Sequence, residues 1–351
     1  MKQRKDGRWV KLKTIDGKRI PFYSKETTER KALKDIENQL LEYEHQKKSK
    51  KHNFKSIADE MLEIQSKTVS YATLQSYTHA LKHLKILYDM NVEDVTPIMV
   101  QTIINELGAK KYSKSAMSKV KTTIGLILKQ AILNGCQVSL FSRSLKIPKT
   151  KTKQVLSPDE MVIETITKNA TTTEFGMWAF VLLYSGLRPG ELNGLRKCDI
   201  DFNKKTISVN QAVEFIENQP NIKDLTKSEA GIRKVPILDL LYQHLYNQCL
   251  NINDEHLIFG INKPFSKTQL RKKWNKYCKE IGYKFTQYQL RHAYAFILYR
   301  ANIDPKTAQY LLGHADFSTT MNIYTQFSKE KNMEAADILN SFVQDKLFQN
   351  V

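Results

Sequence analysis

The sequence predicts a mostly α-helical, multidomain α+β protein: a small β-ribbon and helix module, a helical bundle, and a mainly helical third domain with a small antiparallel sheet. Its 351 residues suggest two or three domains. Apolar residues recur at spacings of three and four through most of the chain, as in amphipathic helices. Residues 146–155 contain a proline, alternating lysines and no apolar period, which is typical of an extended linker.

The charge of the chain predicts a polyanionic partner. Lys and Arg number 55 against 36 Asp and Glu, giving a formal charge of +19, so nucleic acid is the leading candidate. No segment approaches the roughly 18 consecutive apolar residues of a membrane span, and the N-terminus lacks a secretory apolar region. We therefore expect a soluble cytoplasmic protein, associated with the nucleoid when it acts. The four scattered cysteines predict reduced thiols.

Residues 1–50 predict a three-stranded sheet plus a helix. Arg8–Ile15 and Lys18–Tyr23 flank Asp16-Gly17, a dipeptide suited to a type I′ hairpin. A helix is predicted from about Thr27 to His45, followed by a solvated basic linker. The ribbon is either a basic structural appendage or a minor DNA-binding module, and we favour the second. Its candidate DNA contacts are Lys11, Lys13, Lys18 and Arg19.

Residues 54–145 predict a helical bundle. One apolar stripe comprises Leu74, Tyr77, Leu81, Leu84 and Tyr88. Thr96-Pro97 begins a further helix with a cap and an N1 proline, and another stripe stops at Asn134-Gly135. Apolar stripes are usually core, so candidate DNA contacts lie on the opposite, basic and hydroxyl-rich face. They are Lys114, Ser118, Lys121 and Thr122, joined by Lys149, Lys151 and Lys153 of the linker.

The third domain, residues 156–351, begins at a strong helix-start signal. Ser157-Pro158-Asp159-Glu160 combines an N-cap, an N1 proline and a capping-box glutamate. Helical stretches then flank three predicted strands, over Thr206–Val209, Gln211–Ile216 and Lys234–Ile237. The polar stretch Lys223–Gly231 is predicted to be a loop.

Five short phrases in this domain carry chemistry. They are Tyr184-Ser-Gly-Leu-Arg188-Pro-Gly-Glu191, Thr226-Lys227, Gln289-Leu-Arg291-His292, Leu311-Leu-Gly-His314 and Thr319-Thr-Met-Asn-Ile-Tyr324. Cleaving a phosphodiester requires cations that neutralise charge on the phosphate oxygens, and guanidinium binds phosphate with two parallel hydrogen bonds. A lone arginine is usually a surface charge, but Arg188 and Arg291 lie among glycines and apolar residues. The phrases therefore predict a phosphate site.

In order and spacing these phrases resemble the tyrosine recombinase (phage integrase) family, and the N-terminal ribbon resembles the arm-type module of three-domain integrases from phages and conjugative transposons. The resemblance implies that Tyr324 is a nucleophile forming a 3′-phosphotyrosine, with Arg188 and Arg291 holding the phosphate and Glu191 orienting Arg188. It makes His314 a phosphate ligand. Lys227 becomes the general acid for the 5′ oxygen, ahead of its neighbour Lys223.

One position departs from the family pattern. The family usually has histidine three residues before the second arginine, where this chain has Tyr288. A phenol can donate a hydrogen bond to phosphate but is a poor base at neutral pH. We therefore expect Tyr288 to position the phosphate. His292 is a supporting candidate because helical i, i+4 geometry places it on the side of Tyr288.

The resemblance also implies a division into an arm-type module, a core-binding domain (54–145) and a catalytic domain (156–351). The reaction would be two strand exchanges on double-stranded DNA, at core and arm-type sites, through a Holliday junction in a homotetramer. It would integrate and excise a mobile element with no cofactor and no metal. Accessory DNA-bending or excision factors are further candidate partners.

Several alternatives stay open at this point. A type IB topoisomerase would use similar residues on one strand, a chromosome-dimer-type recombinase would act on a fixed site, and a DNA-binding regulator would need only the basic bundle and ribbon. The segment after Tyr324 is amphipathic and would dock either on a neighbouring subunit or on its own core. Its apolar residues are Ala335, Ala336, Ile338, Leu339, Phe342 and Val343.

Overall fold

The computed structural model describes residues 1–15, 18–150, 160–225 and 231–331. The chain divides into two compact units, Met1–Lys153 and Gln154–Val351. Helices dominate both units, and the strands form small antiparallel sheets. The predicted fold class is therefore confirmed.

The first unit begins with a three-stranded antiparallel sheet. Its strands are β1 (Lys2–Gln3), β2 (Trp9–Ile15) and β3 (Lys18–Ser24), in the order β1-β2-β3. Ile15 pairs with Lys18, which is the register of a two-residue connection, although Asp16 and Gly17 lie outside the described residues. Helix α1 (Glu29–Lys51) packs against this sheet. Together they bury Phe22, Ala32 and Ile36.

The predicted linker after His45 is wrong, because α1 continues to Lys51. Lysine, glutamine and glutamate are good helix formers, and this stretch contains neither glycine nor proline to end the helix. The helix stops where Asn53 caps the next one, its side chain accepting hydrogen bonds from the amides of Lys55 and Ser56.

Four helices form the bundle of the first unit: α2 (Phe54–Ser66), α3 (Tyr71–His83), α4 (Pro97–Ala109) and α5 (Lys114–Leu133). The longest, α5, contacts the other three and ends at Asn134, with Gly135 at a φ of 83°. The predicted stripes form the core, since Leu81, Leu84 and Met117 are buried. Apolar burial of this kind is what stabilises a bundle.

Eight helices of the second unit are described: α6 (Glu160–Lys168), α7 (Gly176–Ser185), α8 (Pro189–Asn193), α9 (Asp239–Cys249), α10 (Lys267–Glu280), α11 (Gln287–Arg300), α12 (Pro305–Leu312) and α13 (Phe317–Lys331). Its strands are β4 (Ile200–Asp201), β5 (Thr206–Val209), β6 (Gln211–Ile216), β7 (Gln219–Asp224) and β8 (Arg233–Pro236). One antiparallel sheet has the order β4-β5-β8, and β6 and β7 form a hairpin. The apolar helix α7 is buried and packs against α11.

The strand predictions for this unit were partly right. Strands β5 and β6 have the predicted bounds, and β8 begins one residue earlier than predicted. The start of the predicted loop is wrong, because Lys223 and Asp224 belong to β7, where Lys223 pairs with Ala212. β7 is polar and contains a proline, so its pairing with β6 overrides its weak strand propensity.

Two predictions about the whole chain concern membranes and cysteines. Over the described residues, the chain contains no helix that is long and apolar enough to span a bilayer. The four cysteines, all within the described ranges, are free thiols.

Candidate active site

Arg188 lies at the junction of α7 and α8. Gly186 ends α7 with a φ of 63°, where the close approach of the Tyr294 ring leaves no room for a Cβ. Arg188 then caps α8, and its amide donates to Glu191 Oε2 (2.7 Å) while Nη1 donates to Oε1 (2.7 Å). Nη2 donates to the carbonyl of Gly313. The Arg188 side chain stays 36% exposed, so a ligand can reach it.

Glu191 is buried and accepts from a second arginine. Arg233 donates from Nη1 and Nη2 to its two carboxylate oxygens at 2.9 and 2.8 Å. Burial by itself raises the pKa of Glu191, but the hydrogen bonds and charge of Arg233, together with the charge of Arg188, outweigh it and bring the pKa to about 2. Glu191 is therefore an anion hydrogen-bonded to both arginines, and its role in orienting Arg188 stays a prediction.

Arg291 projects from the first turns of α11 into the same region. It is 7% exposed, and its Nη1 donates to the carbonyl of Gly186 at 2.7 Å while Nη2 donates to that of Leu312. Burial and the nearby charge of Arg188 lower its pKa to about 9. The group remains a cation at neutral pH, held in a site shielded from water.

The turn over residues 311–314 brings these arginines together. Helix α12 ends at Leu312, and Gly313 takes the left-handed conformation with a φ of 63°, as its place before His314 predicted. The last carbonyls of a helix lack intrahelical partners and carry the negative end of its dipole. Here the carbonyls of Leu312 and Gly313 accept from Arg291 and Arg188. The structure therefore brings both predicted phosphate-binding arginines to one turn.

His314 follows this turn directly and is half-buried. Its Nδ1 lies 2.9 Å from the hydroxyl of Thr320, a buried residue of α13. Burial and the positive charges of Arg291 and Arg188 lower its pKa to about 4. The imidazole is therefore neutral at pH 7 and has a fixed orientation.

Tyr324 lies in α13, away from these polar contacts. Its hydroxyl donates to the carbonyl of Ile303 at 3.2 Å, and its ring packs edge-on against Tyr299 at 5.3 Å. Burial and the charge of Asp304 raise its pKa to about 12. Within the part of the chain that the structure describes, no hydrogen bond joins its hydroxyl to an arginine or to His314.

Tyr288 and His292 lie on the first turns of α11. Tyr288 is 59% exposed and lines a groove of about 1190 Å³ together with Pro189 and Gly190. It precedes Arg291 by three residues in α11, so the two side chains lie on the same side of the helix. His292 is half-buried, and burial followed by the charge of Arg291 lowers its pKa.

Several predicted positions fall outside the described residues. They are Lys227, Lys151 and Lys153, residues 157–159, for which a helix start was predicted, and residues 335–343. The competitor Lys223 is an exposed residue of β7.

Two buried residues of this site were missed in the sequence. Arg233 was noted only as the start of a strand, and Thr320 only as part of the phrase before Tyr324. Their side chains contact Glu191 and His314 respectively. A charged residue at the first position of a strand was the only signal for Arg233, and no signal in the sequence singled out Thr320.

The predicted DNA contacts of the first unit have different surroundings. Lys11 and Lys13 line a small cavity with Phe22 and Ile36, on the face of the ribbon towards α1, and Arg19 is exposed. Lys18 begins β3, where its backbone pairs with that of Ile15 in β2. In the bundle and beyond it, Lys114, Thr122 and Lys149 are exposed and Ser118 is half-buried.

Lys121 takes part in a contact that the sequence did not suggest. Its ammonium donates to the carbonyls of Arg143 and Leu145 and so ties the segment after the bundle to α5. It also lines a groove with Thr122, Lys129 and Arg143. Gly125, one helical turn after Lys121, has no side chain to fill this groove.

The described residues contain one group of metal-ligand type, in the first unit. Ligand atoms of His52, Glu93 and Cys136 lie within 4.8 Å of one another. One Glu93 oxygen already accepts from the amide of Gln137 at 2.8 Å, and burial raises the pKa of Cys136. The three residues are far apart in sequence, which is why the sequence did not reveal the group. The expectation that the chemistry needs no metal stays a prediction.

Comparisons with known proteins place this site in a family. Residues 156–331 match the phage integrase family. Tyrosine recombinase XerA of Pyrococcus furiosus is 30% identical over 288 residues, covering 80% of this chain and 91% of that protein. The fold is similar to that of the Tn1549 transposon integrase in complex with transposon right end DNA (TM-score 0.65, 19% identity, 81% of this chain and 99% of that one). It is also similar to lambda integrase, solved as a tetramer bound to a Holliday junction (TM-score 0.59, 17% identity, 91% and 93%).

Three observations agree with one another: the order of the arginine, histidine and tyrosine phrases, the turn that joins the two arginines, and these likenesses. The chain belongs to the phage integrase family and is a site-specific tyrosine recombinase, an enzyme that cuts and rejoins DNA.

Proposed function

We propose that Tyr324 of this recombinase attacks a DNA phosphate held by Arg188 and Arg291, in the integration and excision of a mobile element. The observation that carries the assignment is that both guanidinium groups donate to adjacent carbonyls of the 311–314 turn. A phosphate oxygen is a stronger acceptor than a neutral carbonyl. It can therefore replace these contacts and join the two arginines.

The charge balance around the turn supports anion binding. Three guanidinium groups, those of Arg188, Arg233 and Arg291, surround one carboxylate, that of Glu191. The excess positive charge lies in a partly buried site, where electrostatic interactions are stronger than in water. Such fixed groups stabilise charge that develops in a transition state.

His314 and Tyr288 would complete the phosphate site as hydrogen-bond donors. In the tautomer that we propose, the Thr320 hydroxyl donates to Nδ1 and the neutral imidazole of His314 carries its proton on Nε2, which can donate to a phosphate oxygen. The exposed phenol of Tyr288 can donate in the same way. Neither group needs to act as a base in this arrangement.

The chemical step is a transesterification. The phenol of Tyr324 gives up its proton to solvent water, its oxygen forms a bond to phosphorus as the bond to the 5′ oxygen breaks, and Lys227 gives the leaving oxygen its proton. The 3′-phosphotyrosine keeps the bond energy for the rejoining step, so no cofactor is required. Tyr324 has to leave the carbonyl of Ile303 before it attacks, and the two arginines supply the positive field that favours its phenolate.

The remaining proposals concern DNA and assembly. The groove lined by Lys121, Thr122, Lys129 and Arg143 offers cations to a DNA backbone, and we assign the bundle to core sites and the N-terminal ribbon to arm-type sites.

Exchange between two duplexes cuts four strands, and one nucleophile per strand requires four copies. The likeness to transposon and lambda integrases supports a mobile-element integrase over a topoisomerase or a regulator.

A suicide substrate tests this function directly. Its nicked top strand loses the 5′-hydroxyl needed for rejoining, so a covalent protein-DNA adduct accumulates and can be mapped by mass spectrometry. We expect the adduct on Tyr324. Tyr324→Phe should bind the same DNA with unchanged affinity and form no adduct. An adduct on another residue, or cleavage by the phenylalanine variant, would refute the assignment.

A further inference from the structure

Arg233 opens β8 and is a buried arginine. Its side chain is 0% exposed. Taking a guanidinium out of water costs several kcal/mol unless it is paired and its donors are satisfied. A fully buried arginine next to an active site therefore calls for a structural explanation.

Four hydrogen bonds satisfy this guanidinium. Nη1 and Nη2 form a fork onto the two oxygens of Glu191, at 2.9 and 2.8 Å. Nε donates to the carbonyl of Leu311 at 2.8 Å, and Nη1 also donates to that of Gly231 at 3.1 Å. The planar group thus binds acceptors from three separate segments, which a lysine ammonium on a flexible stem cannot reproduce.

Each acceptor belongs to a part of the proposed active site. Glu191 holds the amide and side chain of Arg188. The carbonyls of Leu311, Leu312 and Gly313 accept in succession from Arg233, Arg291 and Arg188. Gly231 is the first described residue after positions 226–230, which include Lys227. A second bond, from the amide of Lys234 to the Tyr310 hydroxyl at 3.0 Å, also joins β8 to α12.

We propose that Arg233 is a positioning residue for DNA cleavage: its guanidinium fixes Glu191 and the 311–314 turn, and through them sets the orientation of Arg188 and His314. The inference rests on the proposed function, because it assumes that those two residues bind the scissile phosphate. Arg233 itself is too deeply buried to touch DNA.

A structural arginine would contribute only stability, so the test needs a matched control. Arg196 provides one in the same unit, because it forms a similar fork onto buried Asp199, with Nε and Nη2 each 3.2 Å from a carboxylate oxygen. It contacts none of the proposed phosphate ligands. Arg196→Gln and Arg233→Gln therefore both leave a buried carboxylate without its fork, but only the second removes hydrogen bonds to Glu191 and to Leu311 of the turn.

The experiment measures single-turnover cleavage of the suicide substrate at saturating protein, with DNA affinity and melting temperature recorded for each variant. We expect Arg233→Gln to cleave about 100-fold more slowly, since a displacement of about 1 Å at a reacting centre costs that much. Its DNA affinity should fall by less than about 3-fold, because phosphate contacts outside the active site supply most of the binding. Arg196→Gln should cleave at the parent rate.

The pH dependence of cleavage separates positioning from loss of folded protein. The charged groups around Glu191 are Arg188 on its own helix, Arg233 from β8, Arg291 from α11 and Asp199, which lines the same small cavity. Without Arg233, burial raises the pKa of Glu191 and only Arg188 hydrogen-bonds to its carboxylate. Cleavage by Arg233→Gln should therefore fall as pH decreases, with an acid limb that the parent protein and Arg196→Gln lack.

Arg233→Lys keeps the inference testable if the glutamine variant does not fold. Lysine retains the charge but loses the fork, so we expect a folded protein with a lower melting temperature than the parent and with cleavage slowed about 10-fold. Parent-like cleavage by a folded Arg233→Lys or Arg233→Gln protein would overturn the inference. Failure of the parent protein to form an adduct at Tyr324 would instead refute the proposed function.

Discussion

The 311–314 turn and the Tyr324 side chain lie in the same unit but are held in opposite ways. Three guanidinium groups donate to successive carbonyls of the turn, and a carboxylate fixes two of those guanidinium groups. The Tyr324 side chain is held by apolar packing and one neutral hydrogen bond, at 3.2 Å. Hydrogen bonds to charged groups contribute about 1.5–3 kcal/mol each, and neutral ones about 1 kcal/mol.

This difference indicates which part of the proposed active site is in place before DNA binds. In the proposed mechanism the phosphate site is already charged and hydrogen-bonded before DNA binds, as electrostatic catalysis requires. The proposed nucleophile, Tyr324, is held by weaker contacts, which it would exchange on binding DNA.

Replacing Arg188, the partly exposed arginine that donates to the turn, should have the largest effect on the cleavage rate. We expect Arg188→Ala to slow single-turnover cleavage by on the order of 10³-fold or more, since one guanidinium that neutralises phosphate charge in a transition state contributes that much. Glu191 keeps its fork from Arg233, so the melting temperature should change little. Cleavage within about 10-fold of the parent would show that Arg188 does not bind the phosphate.

The fixed imidazole of the turn gives the next prediction. Thr320→Val keeps the shape of the side chain but removes the hydroxyl 2.9 Å from His314 Nδ1, so the ring loses its orientation and preferred tautomer. We expect cleavage to slow by about 10- to 100-fold in single-turnover assays. Thr320→Ser should restore most of the rate. If valine and serine behaved alike, the hydroxyl would have no role in cleavage.

The same contrast explains what the sequence revealed. Arg188 and Arg291 stand among glycine and apolar neighbours, which is a local signal, whereas the family resemblance in the order and spacing of the phrases pointed to His314 and Tyr324. The capping glycine at position 313 and the strands β5 and β6 were predicted from local chemistry. The glycine and strand predictions needed only residues within a few positions of one another.

The parts that the sequence did not reveal depend on distant pairs. Arg233 meets Glu191 across 42 positions and Leu311 across 78, so no local pattern announces either contact. The resting contact of Tyr324 with Ile303 spans 21 positions. Strand β7 was missed for the same reason, because pairing with β6 rather than its own composition makes it a strand. Long-range pairing thus set both the buried charges and the place of the nucleophile.

A substitution of Tyr288 tests the exposed edge of the proposed phosphate site. Its phenol is exposed and stands where relatives are expected to carry histidine, so we expect it to contribute one hydrogen bond and no proton abstraction. Tyr288→Phe should slow cleavage by about 10-fold, the effect of roughly 1.4 kcal/mol. Tyr288→His serves as the comparison and should cleave at least as fast as the parent. A phenylalanine variant that cleaves at the parent rate would remove Tyr288 from the site.

The smallest expected effect is an increase in the cleavage rate, and it tests the weak contacts that hold Tyr324. Tyr299 packs edge-on against Tyr324, a contact that contributes about 0.5–1.5 kcal/mol to the resting position. Tyr299→Ala should weaken that position and raise the fraction of Tyr324 free to attack, so single-turnover cleavage should become about 2- to 10-fold faster. Tyr299→Phe keeps the ring and its edge-on contact, so its rate should lie closer to that of the parent than the rate of Tyr299→Ala. Slower cleavage by a folded alanine variant would mean that Tyr299 supports the attacking position, and that the tyrosine is not held back by this contact.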